Sequence, residues 1–130
     1  MEYLTKSAKE TGNLAAKMAK KVTAPHRRTE ALIIALEGEL GVGKTTFVRG
    51  FAKAVGVKQK ITSPTFVILK VYSLELIAYS HLYHIDAYRL KDHTELIPLG
   101  IEEIFSEGPR FSHRYFGKCI GSRNVKCGRT

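Results

Sequence analysis

The spacing of hydrophobic positions along this chain changes several times, and each change marks an element. Over residues 7–22, Leu14, Met18 and Val22 recur at i, i+4 and i+8, with Ala15 and Ala19 beside them. Lys17, Lys20 and Lys21 fall on the other side, so the spacing predicts an amphipathic helix packed on a core. Ser7 followed by Glu10 forms a capping box at its start, and Pro25 stops it. A basic connector, His26-Arg27-Arg28, leads to a continuous apolar run that predicts a buried strand over residues 31–37. A second helical pattern runs from Lys44 to Val55, with Phe47, Phe51 and Val55 on one face and Gly56 placed to cap its end. Residues 66–72 are rich in strand formers, residues 80–86 read as a second extended segment, and the two are expected to form a hairpin. Past Asp86, the positions Leu96, Leu99, Ile101, Ile104 and Phe105 suggest short helical pieces broken at Pro98-Leu99-Gly100. From Ser106 onward no period is sustained. The alternation predicts an α/β fold, a sheet with flanking helices.

Composition narrows this picture modestly. The length of 130 residues suits one small domain, with residues 31–105 supplying most of the core. No run approaches the roughly 20 apolar residues of a membrane span, and residues 1–6 contain no apolar leader core, so no membrane association is expected. Cys119 and Cys127 do not make a disulfide framework, and a reduced, cytoplasmic setting is the expectation. They and His113 are also too irregularly spaced to suggest zinc. The net charge of +9 is uneven, since residues 106–130 hold six Lys or Arg against one Glu. The expected division is therefore a domain over residues 1–105 and a basic tail of uncertain order over residues 106–130, poorly ordered or at least not completing a nucleotide site. No nucleic-acid motif accompanies the charge, so direct sequence-specific RNA or DNA binding is not expected.

The chemistry concentrates in one run, Gly38-Glu39-Leu40-Gly41-Val42-Gly43-Lys44-Thr45, which fits the phosphate-loop pattern G-x-x-x-x-G-K-[ST]. A chance glycine-rich turn can match this pattern. Here an apolar strand precedes it and a helix follows, the order its mechanism needs. Glycines allow backbone N–H groups to turn around a phosphate, and the helix N-terminus adds partial positive charge. Lys44 would reach the β- and γ-phosphates of a nucleotide, and the Thr45 hydroxyl would ligate Mg²⁺. A second acidic group is needed near the metal, and Asp86, at the end of His81-Leu82-Tyr83-His84-Ile85-Asp86, is the best candidate. Thr62-Ser63-Pro64-Thr65 is the expected switch segment, because hydroxyls after the phosphate-loop helix can approach a γ-phosphate or its metal. The plainer reading is a hydroxyl-rich turn with local hydrogen bonds. His84 could support Asp86, but a packed strand histidine is favoured. Arg89 could ion-pair near Asp86 or touch a phosphate, and a surface ion pair is the commoner role.

Four runs together resemble the bacterial TsaE (YjeE) family. They are Leu36 through Phe47; Thr62-Ser63-Pro64-Thr65-Phe66; Leu82-Tyr83-His84-Ile85-Asp86-Ala87-Tyr88-Arg89-Leu90; and Leu99-Gly100-Ile101-Glu102-Glu103. Order and spacing fit over about residues 7–105, and the second and third runs are more family-specific than the phosphate loop. The resemblance implies a P-loop NTPase-like fold, incomplete at its C-terminal end. It implies an ATPase that assists threonylcarbamoyladenosine modification of tRNA at position 37. Such a protein acts with a transferase subunit and its dimerising paralogue, and with tRNA only indirectly. By motif matching, Gly41, Val42, Gly43, Lys44, Thr45 and Thr46 would hold ATP, Thr45 and Asp86 would serve Mg²⁺, and Lys44, Asp86 and Thr65 would act in hydrolysis.

The resemblance ends after Phe105. Family members continue into a strand carrying a Glu-Trp pair, whereas this chain contains no tryptophan. A shift of reading frame or a premature end would produce such a departure. The missing glutamate is expected near the γ-phosphate, so its loss bears on hydrolysis more than on nucleotide binding. Two other readings remain: a non-catalytic ATP-binding partner subunit, and a P-loop kinase for a small metabolite. The kinase would need an arginine-bearing lid and an acceptor pocket, neither of which the sequence identifies. A GTPase is disfavoured because no Asn-Lys-x-Asp run appears.

Overall fold

A computed structural model describes residues 2–24, 32–37, 41, 43–62, 67–75, 81–87, 90–106 and 115–119. The first helix, α1 (Ala8–Val22), begins at Ser7, whose Oγ accepts the Glu10 N–H at 3.2 Å. The Glu10 carboxylate accepts the Lys6 N–H at 2.7 Å. The capping box is therefore present with its return bond shifted one residue toward the N-terminus. The buried stripe of α1 is the small one: Ala15 and Ala19 are fully buried, while Met18 is exposed. A close helix crossing explains this. A Cβ built on Gly50 of the second helix would lie 2.7 Å from Gly12 Cα and 2.7 Å from Gly12 O. The two backbones meet at this glycine pair, leaving room for alanines along the seam but not for Met18.

Strand β1 (Leu32–Ala35) is followed by helix α2 (Lys44–Ala54). Helix α2 buries Val48, Phe51 and Ala52, with Val55 just beyond its end, while Phe47 is half-buried and stacks on Phe51. Its end is a Schellman turn: Gly56 N–H donates to Lys53 O and Val57 N–H to Ala52 O. Gly56 takes φ +92°, a left-handed conformation open to glycine, as its capping role requires. Strands β2 (Leu69–Ser73) and β3 (His81–Ile85) pair antiparallel, as the hairpin reading anticipates. A 3₁₀ helix (His93–Leu99) and helix α3 (Ile101–Ser106) follow, and Gly100 separates them.

Strand β4 (Tyr115–Cys119) completes a mixed sheet of order β1-β4-β3-β2. β4 runs parallel to both β1 and β3. β4, which falls within the stretch read as a basic tail, lies between two strands of the core. Gly117 and Lys118 hide it, since an internal parallel strand ordinarily reads as an unbroken apolar run. Its pairing comes from two facing backbone edges, β1 and β3, whose N–H and C=O groups need partners. His113 and Cys127 lie outside the described residues.

The sheet divides the core. Ile34, Tyr72 and Leu82 pack with α1 and α2 on one face. Ile85 and Leu69 pack with Leu96 and Ile101 on the other. Among the described residues, no helix is long and apolar enough to cross a membrane.

Candidate functional site

The site is built where β1 gives way to α2. Gly41 and Gly43 take φ +81° and +92°, and Gly43 is the N-cap residue of α2, with no side-chain bond across the helix start. Helical bonding begins when Phe47 N–H donates to Gly43 O at 2.9 Å. Lys44, Thr45 and Thr46 are therefore the first three helical residues, all half-buried. The N–H groups of Thr45 and Thr46 have no acceptor inside the helix, by the geometry of a first turn. No acidic residue lies in that turn. Its positive end thus meets an ammonium group and two hydroxyls, a donor set that suits a phosphate with a bound divalent cation.

Asp86 comes to the same edge by topology. Ala35 and Ile85 are both in register with Cys119, so β1 and β3 end at one level, separated by β4. At the usual strand spacing, these two ends lie about 10 Å apart. Asp86 directly follows Ile85, and its N–H donates to Ile68 O at 2.9 Å, which extends the ladder with β2 by one residue. Continuing the alternation of Leu82 and His84, it falls on the α2 side of the sheet. A half-buried carboxylate at this edge is placed to face a cation held at the start of α2.

The structure thus brings Gly41, Gly43, Lys44, Thr45, Thr46 and Asp86 to one edge of the sheet. Val42, Thr65 and Arg89 lie outside the described residues, as do Ser63 and Pro64. Thr62, at the entry to the expected switch segment, accepts a hydrogen bond from Lys70 Nζ on β2. One residue earlier, Ile61 O accepts from Arg49 Nε on α2 at 3.2 Å. Sequence reasoning missed both cations. Each acts on a partner remote in sequence, and neither sits in a motif. His84 is 1% exposed and takes the packed role, lining a cavity of about 10 Å³ with Ile34, Phe47, Phe51 and Leu82. That space is too small and too apolar for a nucleotide. Among the described residues, no group of three or more His, Cys, Asp or Glu could hold a metal.

Known proteins resemble this chain. A protein from Bacillus subtilis named tRNA threonylcarbamoyladenosine biosynthesis protein TsaE is 45% identical over 73 residues, covering 56% of this chain and 43% of that protein. A protein of the same name from Treponema pallidum is 42% identical over 74 residues, covering 57% and 52%. The matched stretch spans about half the length of these curated relatives. The crystal structure of Bacillus subtilis YdiB superposes with a TM-score of 0.57 at 28% identity, covering 88% of this chain and 60% of that one. The family described as threonylcarbamoyl adenosine biosynthesis protein TsaE matches residues 5–112, a range that takes in both packed helices, the phosphate loop and the strand ending at Asp86; the chain belongs to the TsaE family.

Proposed function

We propose that this chain binds ATP with Mg²⁺ on the loop between β1 and α2, and that it serves threonylcarbamoyladenosine formation in tRNA as a cytoplasmic ATPase. The observation that supports this reading best is the start of α2. A glycine caps it, Lys44 opens it, and Asp86 ends a parallel strand at the same sheet edge. In this reading the first-turn N–H groups and Lys44 hold the phosphates, and Thr45 and Asp86 serve the metal. The cation would neutralise charge on the phosphate oxygens. Residues 62–65 form the switch, with Thr65 contributing to hydrolysis. The partners in this reading are a transferase subunit and its dimerising paralogue.

A second reading has its own observation. β4 lies between the strand that feeds the phosphate loop and the strand that carries Asp86, and its residues, Tyr115-Phe116-Gly117-Lys118-Cys119, include no carboxylate. A chain lacking the expected glutamate would bind ATP and turn it over slowly, which favours a non-catalytic partner subunit. Calorimetry with ATP–Mg²⁺ tests the shared part: the native chain binds, and Lys44→Ala binds much less. Equal affinities would count against the loop as the nucleotide site. Turnover with and without the transferase complex then separates the two readings.

A further inference from the structure

A concavity of about 610 Å³ opens beside the C-terminal half of α2, away from the phosphate loop. Its walls are Arg49 and Lys53 of α2 and the segment Lys58-Gln59-Lys60 that follows. The Schellman turn at Gly56 brings this segment back alongside the helix. Val57 and Ile61 form the floor, but both are buried in the chain's own core. What faces solvent is therefore four cations and one amide. Glu75 is the one acid paired with them among the described residues, at 3.2 Å from Lys58, with side chains 80% and 83% exposed. Such a solvated pair is weak and readily exchanged for another anion.

We propose that this concavity docks the phosphate backbone of RNA. Like charges gathered in a hollow raise the local potential and favour a polyanion over a single acid. Val57 and Ile61 belong to the chain's own core, so the charged side chains of the wall are what distinguish this hollow. There is also no exposed aromatic in the wall on which a base could stack, so contact is with phosphates and carries no sequence preference. This agrees with the lack of a nucleic-acid motif. The choice of RNA among polyanions rests on the tRNA-modification reading above; the hollow itself does not.

The test is fluorescence anisotropy of a labelled, unmodified tRNA transcript, without nucleotide, between about 50 and 200 mM salt. The native chain binds, and affinity falls steeply with salt. The triple variant Lys53→Gln, Lys58→Gln, Lys60→Gln melts at the same temperature, binds at least tenfold more weakly at the lower salt, and has a log–log salt slope smaller by about 2. A control triple on α1, Lys17→Gln, Lys20→Gln, Lys21→Gln, removes equal charge elsewhere and keeps most of the binding. An equal loss in the control, an unchanged groove variant, or no binding by the native chain overturns the proposal. So does a groove variant that loses the transferase complex but keeps tRNA. Because no ATP is present, failure of the nucleotide-site reading leaves this result standing.

Discussion

Helix α1 starts with its first turn closed by its own side chains. Ser7 Oγ accepts the Glu10 N–H, and the Glu10 carboxylate accepts the Lys6 N–H. Helix α2 starts with a glycine in a left-handed conformation, no side-chain cap and no acidic residue in its first turn. The two helices pack on each other and on the same face of the sheet, so their surroundings do not explain the difference. A glycine at this position in place of a capping side chain forgoes a few tenths of a kcal/mol of stabilisation. At α1, the donors serve the fold. At α2, the same kind of donors are held where an incoming anion can accept from them, beside Lys44. In the ATP-binding reading, the contrast explains why the start of α2 lacks the capping residues that ordinary helices favour. A serine or aspartate in place of Gly43 would offer an internal acceptor to the donors a phosphate needs, and φ +92° would strain it.

The sharpest way to break this contrast is Lys44→Ala. Removing a charge-assisted contact to phosphate costs about 1.5–3 kcal/mol of binding, or roughly 10- to 150-fold in Kd for ATP–Mg²⁺. The unfolding midpoint of the free chain should change far less than the affinity, because Lys44 is outside the buried core. Calorimetry and a urea titration on the same preparation check both halves. A large loss of stability without loss of affinity would make α2 an ordinary helix.

Gly50→Ala tests the opposite quantity. The added Cβ would meet the backbone of Gly12 at 2.7 Å, and neither atom there belongs to a flexible side chain. α1 must move off α2, at a cost of about 1–3 kcal/mol for overpacking. ATP affinity, measured on the folded fraction, should change little, since Gly50 lies on the second turn of α2. Urea denaturation reads the stability loss. An unchanged midpoint would mean that the helices do not cross at these glycines.

How much of this was legible beforehand follows from what each residue answers to. The glycine turn before α2 at Gly41 and Gly43, the end of α2 at Gly56 and the break at Gly100 were readable, because each depends on local dihedrals that few residues adopt. The antiparallel pair β2–β3 was readable from its strand formers. The Gly12–Gly50 contact was not, because a glycine inside a helix looks like a weak helix former until its neighbour is known. β4 was hidden for a related reason: Gly117 and Lys118 lower its strand propensity, and its place in the sheet depends on β1 and β3, both remote in sequence. In the candidate site, Gly41, Gly43, Lys44, Thr45 and Asp86 were named by motif, and the fold brings them to one sheet edge. Arg49 and Lys70 were not, since they act on the backbone of Ile61 and the hydroxyl of Thr62 through the fold alone.

Ser7→Ala sharpens the comparison from the other side. It leaves the start of α1 as uncapped as that of α2, and the expected loss is about 1 kcal/mol of stability. ATP–Mg²⁺ affinity should be unchanged, because α1 follows no glycine loop. Differential scanning calorimetry measures the loss. A drop in ATP affinity as large as that of Lys44→Ala would show that the two helix starts are coupled, against the division of roles.

The smallest effect separates the two ways Glu10 can act at α1. Its carboxylate accepts the Lys6 N–H, and its charge also faces the positive end of the helix. Glu10→Gln keeps an acceptor oxygen and removes the charge, whereas Glu10→Ala removes both. If charge matters, Glu10→Gln loses about 0.3–1 kcal/mol at low ionic strength. That loss should shrink at about 1 M salt, where the screening length falls to roughly 3 Å. If the hydrogen bond matters, Glu10→Gln stays near the native value and Glu10→Ala falls at both salt concentrations. Urea titrations of the three proteins at two ionic strengths distinguish these outcomes. We expect the charge to carry the larger share, because Glu10 is exposed and water can replace its bond to Lys6 but not its field along the helix axis. A charge that stabilises α1 from within its own sequence has no counterpart at α2, where the negative charge would arrive with the ligand.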